Sequence, residues 1–202
     1  GMKPQSYIFI GRYGSGKGTQ AKLLIDVLNK KDPAHKTLYV ETGAEFRRFT
    51  NEDNYAAVHT RNVIDKGGLM PVFMCVYVWG RLLIEKYTNT EHLVFDGTPR
   101  KLLEAQMLED LFPFYGLGIP WVIYLDVEHE ESAKRISLRA SVQSRADDGK
   151  EELNRRREAY EKDVEPTIAW YKTNPNVRFL DIDGERTIEE IHADIVKRVG
   201  LS

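Results

Sequence analysis

Short apolar runs alternate along the chain with longer amphipathic stretches, and this alternation predicts the secondary structure. Five runs are rich in β-branched and aromatic residues, as strands are: Tyr7 to Ile10, Thr37 to Val40, His92 to Phe95, Trp121 to Leu125 and Val177 to Ile182. Several are nearly continuous in apolar residues instead of alternating with polar ones. Such runs are typical of strands that a parallel sheet buries on both faces.

Between these runs, apolar residues recur at the spacing of one helix face. The predicted helices are Lys17 to Asn29, Pro71 to Lys86, Lys101 to Leu111, Glu130 to Leu138, Glu151 to Tyr171 and Thr187 to Val199. A set at helical spacing is expected in the core: Met70, Phe73, Met74, Tyr77 and Val78. Parallel strands need crossover helices, so the chain is expected to form one domain, residues 1–202, with a three-layer α/β/α fold and a five-stranded parallel sheet.

Composition excludes several classes of protein. The 202 residues include 29 basic and 31 acidic ones, for a net charge of −2, so the chain is not a globally basic nucleic-acid binder. One cysteine, Cys75, permits neither an internal disulfide nor a four-thiolate zinc site. No apolar stretch approaches the roughly 20 residues that cross a bilayer. We therefore expect a cytoplasmic protein with no membrane or nucleic-acid partner.

A glycine-rich segment directly follows the first predicted strand. Residues 11–20, Gly-Arg-Tyr-Gly-Ser-Gly-Lys-Gly-Thr-Gln, are called here the phosphate loop. In such a loop, backbone N–H groups converge on phosphate oxygens, the following helix adds its positive end, and a lysine, here Lys17, meets the outer phosphates. The general motif has Ser or Thr directly after the lysine, whereas this chain has Gly18 there and its hydroxyl at Thr19.

The Gly-Lys-Gly-Thr-Gln sequence of this loop resembles the adenylate kinase branch of the nucleoside monophosphate kinases. Thr42 to Arg47 resembles the family's T-G-x-x-x-R, residues 67–71 resemble the segment that frames the acceptor nucleoside, and residues 96–100 resemble D-G-[FY]-P-R. The match runs from the first strand to the last helix. It implies a fold like that of the P-loop nucleoside triphosphate hydrolases and the reaction ATP + NMP ⇌ ADP + NDP.

The resemblance also implies roles for individual residues. ATP would be bound by Gly14, Ser15, Gly16, Lys17, Gly18, Thr19, Arg135, Arg139 and Arg186. The monophosphate would be bound, partly by a segment at about 41–70, through Thr42, Gly43, Arg47, Gly68, Leu69, Met70, Gly97, Arg100, Glu104, Arg145 and Arg156. The catalytic residues would be Lys17, Arg100, Arg139, Arg145 and Arg156.

The arginines of this set are concentrated late in the chain. Residues 134–157 hold eight basic and four acidic residues, a local +4 against −6 elsewhere. Within them, Arg139 and Arg145 are close in sequence, so the mobile LID segment, about 139–148, resembles the short, metal-free form. Arg155 and Arg157 are instead expected on a solvated helix face, where Glu151 and Arg155 form an i,i+4 pair.

Magnesium with ATP, and no zinc, is the cofactor that the resemblance implies, held by Thr19 and Asp96 through water. The acceptor is already an ionised phosphate, so transfer requires positioning and charge neutralisation and no general base. The five histidines accordingly lie outside every motif. The partners would be ATP and a monophosphate, and the protein a monomer.

Four positions depart from the family pattern. Tyr13 replaces the usual proline, Ala44 an acidic residue, Thr98 an aromatic one, and Glu104 a glutamine that reads adenine. An ionised carboxylate only accepts hydrogen bonds, which suits the N1–H and N2–H₂ edge of guanine better than adenine, unless Gln106 takes over the role. AMP remains first among the expected acceptors. A UMP/CMP-type kinase and a nucleotide-binding module with little turnover are the alternatives.

Overall fold

A computed structural model describes residues 3–143 and 150–202 and contains one sheet of five parallel strands. The strands are β1 (Ser6–Gly11), β2 (Thr37–Glu41), β3 (His92–Asp96), β4 (Trp121–Asp126) and β5 (Arg178–Asp183). They lie in the order β2-β3-β1-β4-β5, and Ile8 at the centre of β1 pairs with Phe95 and Val122. All five predicted strands are confirmed, because continuous apolar runs are a strong signal for buried parallel strands.

Helices connect the strands and flank the sheet. They are α1 (Lys17–Lys31), α2 (Thr42–Phe49), α3 (Tyr55–Asp65), α4 (Val72–Lys86), α5 (Leu102–Glu109), α6 (Leu111–Phe114), α7 (His129–Gln143), α8 (Lys150–Ala159), α9 (Glu165–Thr173) and α10 (Ile188–Arg198). A π-helical turn, Tyr160–Val164, joins α8 to α9, so the single helix predicted over 151–171 contains an irregular turn. None of the helices in the described ranges is long and apolar enough to cross a bilayer.

Alternate residues of the central strand supply two cores, one on each side of the sheet. Tyr7 and Phe9 pack into a cluster with apolar residues of α1 and α10. Ile8 and Ile10 point to the opposite face, into a cluster with residues of α4, α5 and α9. All four side chains are at most 2% exposed. The period of two along β1 therefore produces the three-layer α/β/α arrangement that the sequence predicts.

Of the five residues expected in the core, Met70 lies just before α4 and is partly buried, and the four on α4 are divided. Met74 and Val78 are buried, but Phe73 is 69% exposed and Tyr77 is 46% exposed. A helix buries only the faces that neighbouring elements cover, and α4 packs mainly against α2, α5 and β2. Helical spacing identified residues that share a helix, whereas the neighbours decided which of its faces became core.

A histidine–aspartate cluster joins the end of α1 to the start of β3. The Oδ2 atom of Asp32 lies 2.8 Å from Nδ1 of His35 and 3.1 Å from Nε2 of the buried His92. The backbone N–H of Gln5 donates to Nδ1 of His92 at 3.0 Å, so Nε2 carries the ring proton and donates it to Asp32. Neither ring nitrogen of His92 is then available to a metal ion, and the cluster is structural.

Acidification should weaken the fold through His92. Burial lowers its pKa below the ordinary 6.5, although Asp32 opposes the shift. The unfolded chain therefore binds more protons between that lowered pKa and 6.5, and the free energy of unfolding falls as the pH falls through this window. Urea denaturation between pH 7 and 5 should show a steeper loss in the wild type than in His92→Gln, by up to about 1.4 kcal/mol per pH unit.

The exposed His59 supplies the matched control, because His59→Gln should retain the wild-type slope. Parallel pH dependences for the wild type and His92→Gln would contradict this assignment.

Candidate active site

The phosphate loop lies between β1 and α1, at the carboxyl edge of the sheet. Gly16 is the N-cap of α1, and Lys17 opens its first turn. Gly14 has φ +72°, and a Cβ atom there would lie 2.9 Å from the side chain of Ile136 and 3.0 Å from the carbonyl oxygen of Ser132. Glycine is therefore required at position 14 both for its left-handed backbone and for the close approach of α7.

Within this loop the side chain of Lys17 folds back over the backbone. Its Nζ donates to the carbonyl oxygens of Gly11, at 2.9 Å, and Arg12, at 2.6 Å. Ser15 is buried beneath the loop, whereas Thr19 is exposed. The lysine ammonium is thus held over the loop by acceptors that a bound phosphate can replace.

The charge of Lys17 is costly in this position. Its pKa is lowered to about 7, mostly by burial and then by the positive charges of Arg100 and Arg139, while Asp96 acts in the opposite direction. A bound polyphosphate would supply the missing negative charge. The site is therefore complementary to an anion before one is present.

Asp96 ends β3 directly beside the phosphate loop. The hydroxyl of Tyr39 donates to its Oδ2 atom at 2.8 Å, and this same oxygen is 3.4 Å from where a Cβ on Gly18 would lie. Asp96 thus presents carboxylate oxygen next to the first turn of α1, which carries the Thr19 hydroxyl. Hard oxygen donors at this spot fit Mg²⁺, which keeps several of its waters.

Two motifs that are far apart in sequence meet opposite the phosphate loop. Gly97 has φ +80°, and a Cβ atom on it would lie 3.0 Å from Oγ1 of Thr42 and 3.8 Å from a guanidinium nitrogen of Arg100. A guanidinium nitrogen of Arg47 lies 3.3 Å from where a Cβ on Gly43 would be. The start of α2 and residues 96–100 thus form one cationic corner.

This corner opens into a cavity of about 500 Å³. Its lining includes these predicted site residues: Thr42, Gly43, Arg47, Gly68, Leu69, Met70, Gly97, Arg100, Glu104, Arg139 and Arg156. It also includes Gly67 of the predicted segment 67–71 and four residues to which the sequence assigned no role: Phe46, Ile64, Asp65 and Lys101. Arg145 lies outside the described residues. We call this space the central cavity.

Cys75 and Tyr13 also line the central cavity. Burial raises the pKa of the Cys75 thiol to about 12, so the thiol stays protonated and unreactive, as expected for a packed cysteine. Tyr13 projects from the phosphate loop, and the guanidinium carbons of Arg100 and Arg156 each lie 4.3 Å from its ring centroid.

Glu104 is 2% exposed and closes the loop of residues 96–100. One of its carboxylate oxygens accepts a hydrogen bond from the Thr98 hydroxyl, and the other accepts from the Arg100 backbone N–H at 3.1 Å. Two of the four departures from the family pattern are therefore in direct contact. Gln106 is exposed on α5 and does not line the central cavity, so it does not replace Glu104 there.

The remaining predicted nucleotide residues gather on the other side of the phosphate loop. Arg135 donates to the carbonyl oxygen of Gly184 at 2.8 Å. Gly184 in turn donates to Asp126, at the end of β4, at 2.8 Å. Arg186 is paired with Asp194 at 2.7 Å. The loops after β4 and β5 thus flank the phosphate loop on one side, and those after β2 and β3 flank it on the other.

The two arginines that the sequence places on a solvated helix face each form an ion pair. Arg155 pairs with Glu151 at 3.2 Å, as predicted, and Arg157 pairs with Glu161 at 2.8 Å. Arg155 also donates to the carbonyl oxygen of Lys66 at 3.1 Å. This second contact, which the sequence did not indicate, joins α8 to the loop after α3.

Comparison with known proteins agrees with this geometry. The family model for adenylate kinase matches residues 9–176. An adenylate kinase of Thermus thermophilus is 30% identical over 197 residues, covering 98% of each chain. That of Flavobacterium johnsoniae is 32% identical over 187 residues, covering 91% of this chain and 92% of its own. The chain belongs to the adenylate kinase family.

Membership of the adenylate kinase family makes the protein a phosphotransferase of the nucleoside monophosphate kinase type. The chain covers almost the full length of its relatives, including the phosphate loop and residues 96–100. The adenylate kinase family generally uses Mg²⁺ with ATP. The oxygen donors of Asp96 and Thr19 are compatible with that cofactor.

The lowered pKa of Lys17 predicts proton uptake when this adenylate kinase family member binds a nucleotide. At pH 8.5, above a pKa of about 7, the free lysine is mostly neutral, whereas the polyphosphate complex favours the charged form. Binding of ATP should therefore take up about one proton at pH 8.5, where the phosphates of ATP are already fully ionised and only Lys17 changes its protonation. Calorimetry in two buffers of different ionisation enthalpy measures this number directly.

Lys22, which is exposed on the same helix, provides the control: Lys22→Met should retain the uptake. Identical binding heats in both buffers at pH 8.5 would show that Lys17 is already charged in the free protein.

Proposed function

We propose that this protein transfers the terminal phosphoryl group of ATP to AMP, giving two ADP. One observation carries the proposal: Lys17, Arg100, Arg139 and Arg156 converge where the phosphate loop meets the central cavity. Pure nucleotide binding would not require cations from so many elements around one point. In the transition state of transfer, the phosphoryl group spreads negative charge over its oxygens, and preorganised cations stabilise that charge.

The donor would occupy the phosphate loop and the side towards β4 and β5. Backbone N–H groups of Gly14 to Thr19 would hold its phosphates, and Lys17 would meet the outer ones. Arg135 and Arg139 on α7 and Arg186 after β5 would complete this side. Their contacts with the Gly184 turn and Asp194 keep Arg135 and Arg186 at the edge of the donor side.

The acceptor would occupy the central cavity. Thr42, Gly43, Arg47, Gly97 and Arg100 form its cationic corner and would hold the monophosphate, with Arg145 and Arg156 added from the LID side. Gly68, Leu69, Met70 and Glu104 would frame the nucleoside. A bidentate arginine contact suits a phosphate in both charge and geometry.

Phosphoryl transfer would depend on positioning the two substrates and neutralising their charge. Bound Mg²⁺, held through water by Thr19 and Asp96, would neutralise charge on the donor phosphates. The acceptor phosphate is already ionised, so the protein has no proton to remove, and its residues orient the two phosphates and exclude water. The segment at about 41–70 would close over the substrates within a single domain. Of the LID segment, about 139–148, residues 144–148 lie outside the described residues.

The proposal also covers the binding partners and the cellular location of the protein. A net charge of −2, with its positive excess confined to residues 134–157, suits free nucleotides better than a nucleic acid or a membrane surface. A single unreactive cysteine suits a reducing compartment. We therefore propose the cytoplasm as the location of the protein, and we keep the expectation that it is a monomer.

Replacing Lys17 tests the assignment of the phosphate loop. Lys17→Met removes a cation that would touch the transferring group, and kcat should fall about 10²- to 10³-fold, as when one transition-state donor is removed elsewhere. A coupled assay of ADP formation measures the loss. The matched variant Lys22→Met, on the exposed side of the same helix, should stay within about twofold of the wild type. Near-normal turnover in Lys17→Met would contradict the assignment.

A panel of acceptor monophosphates tests which base the protein prefers. The ionisation of Glu104 should make this preference depend on pH. Burial raises the pKa of Glu104. A neutral carboxyl offers one donor and one acceptor, as a glutamine amide does, whereas the ionised form only accepts. For AMP, the kcat/KM ratio of wild type to Glu104→Gln should therefore fall by up to about tenfold as the pH rises through the raised pKa of Glu104, because one hydrogen bond is lost.

The panel comprises AMP, GMP, CMP, UMP and dAMP. A preference for UMP or CMP would establish the runner-up kinase type, and no transfer to any of the five would indicate a binding module. A pH-independent ratio between the two proteins would show that Glu104 does not face the base.

A further inference from the structure

Tyr13 is the side chain of the phosphate loop that reaches both of the arginines on the acceptor side. The guanidinium carbons of Arg100 and Arg156 each lie over its ring at 4.3 Å from the centroid. Arg100 follows β3 and Arg156 lies on α8, so these three residues come from three separate elements. Tyr13 also lines the central cavity between them.

The backbone beneath this ring is anchored. The Ser132 hydroxyl on α7 donates to the carbonyl oxygen of Tyr13. The next residue, Gly14, lies against Ser132 and Ile136 closely enough to exclude a Cβ atom. The loop is therefore held against α7, and the tyrosine ring projects from a fixed base towards the cavity.

The arginines need such a partner because like charges repel at the position they share. Arg156 is 7% exposed. Burial alone would lower the pKa of Arg100, yet the Tyr13 hydroxyl, through its charge and a hydrogen bond, and then Asp96 and Glu104 raise it above its ordinary value. The ring contact is a separate interaction of the same side chain. The face of an aromatic ring is electron-rich and attracts a guanidinium group without supplying a formal negative charge, which would compete with the arginines for an incoming phosphate.

Ring contact and phosphate binding use different parts of an arginine. A guanidinium group stacks on an aromatic ring through its flat face, whereas its N–H donors point outward in the plane of the group. An arginine held over Tyr13 can therefore donate to a phosphate without leaving the ring. The contact can therefore persist when a phosphate binds, and it would reduce the ordering that binding otherwise requires.

We propose that Tyr13 is a positioning residue, whose ring holds Arg100 and Arg156 together at the site of the acceptor phosphate before the acceptor binds. This role rests on the proposed function and deepens it, since it assigns a task to a residue at which the family usually has proline. Tyr13 acts through the two arginines and takes no part in the chemistry itself.

The test compares two substitutions at this position by calorimetry with the monophosphate that has the highest kcat/KM in the acceptor panel, in the absence of ATP. Tyr13→Leu removes the ring, and its Kd for the monophosphate should rise about tenfold, a change within reach of two cation–π contacts. Tyr13→Phe keeps the ring and loses only the hydroxyl contact with Arg100, so its Kd should rise by no more than about threefold, clearly less than in Tyr13→Leu. In steady-state assays of Tyr13→Leu, KM for the acceptor should rise in parallel, while KM for ATP changes less than about twofold.

A matched control lies at the opposite edge of the sheet. The guanidinium carbon of Arg178 lies 5.0 Å from the Trp121 ring centroid, at the start of β4. Trp121→Leu removes a similar contact far from the site, so it should leave the Kd for the monophosphate unchanged. Thermal denaturation of all variants separates changes of affinity from changes of folding.

Four results would overturn the role of Tyr13 while leaving the proposed function intact. These are an unchanged Kd in Tyr13→Leu, tighter binding that reveals competition between ring and phosphate, an equal loss of ATP affinity, and a Phe variant as weak as the Leu variant. A wild-type protein that binds none of the five monophosphates would overturn the proposed function itself, and the role of Tyr13 with it.

Discussion

The mutual repulsion of positive charges around the phosphate loop is the constraint on which the rest of the structure depends. Lys17 is surrounded by Arg100 and Arg139, and its pKa is lowered to about 7 as a result of burial and these charges. Bringing such groups together is unfavourable without an anion, so the fold has to hold them in place by other contacts. Because these positive charges are held together without an anion, a polyphosphate is the complementary ligand.

The parallel sheet satisfies this constraint because the loops after different strands carry different parts of the site. The loop after β1 lies in the middle, with the loops of β2 and β3 on one side and those of β4 and β5 on the other. The carboxyl ends of all five strands meet at one edge, so residues from distant parts of the chain face a common point. Hydrogen bonds from uncharged groups fix individual side chains there, as when the Tyr39 hydroxyl donates to Asp96.

Three of the four departures from the family pattern are explained by contacts. Thr98 donates to Glu104, which also accepts from the backbone of Arg100, so a changed pair still closes the loop of residues 96–100. Tyr13 contacts Arg100 and Arg156. Tyr13 and Glu104 thus both contact Arg100, the first at its guanidinium group and the second at its backbone N–H. Nothing in the structure explains Ala44.

The sequence by itself determined the strands, the order of the motifs and the family, because buried parallel strands and phosphate loops leave strong local signals in residue type and spacing. It did not predict α2 and α3, since Phe46 and Phe49 stabilise α2 by packing against α3 and α4. It also could not indicate that Tyr13 meets Arg156, or that Thr98 engages Glu104. Only the tertiary structure decided these contacts, because distances across a fold depend on how helices cross over the sheet, which no spacing along the chain records.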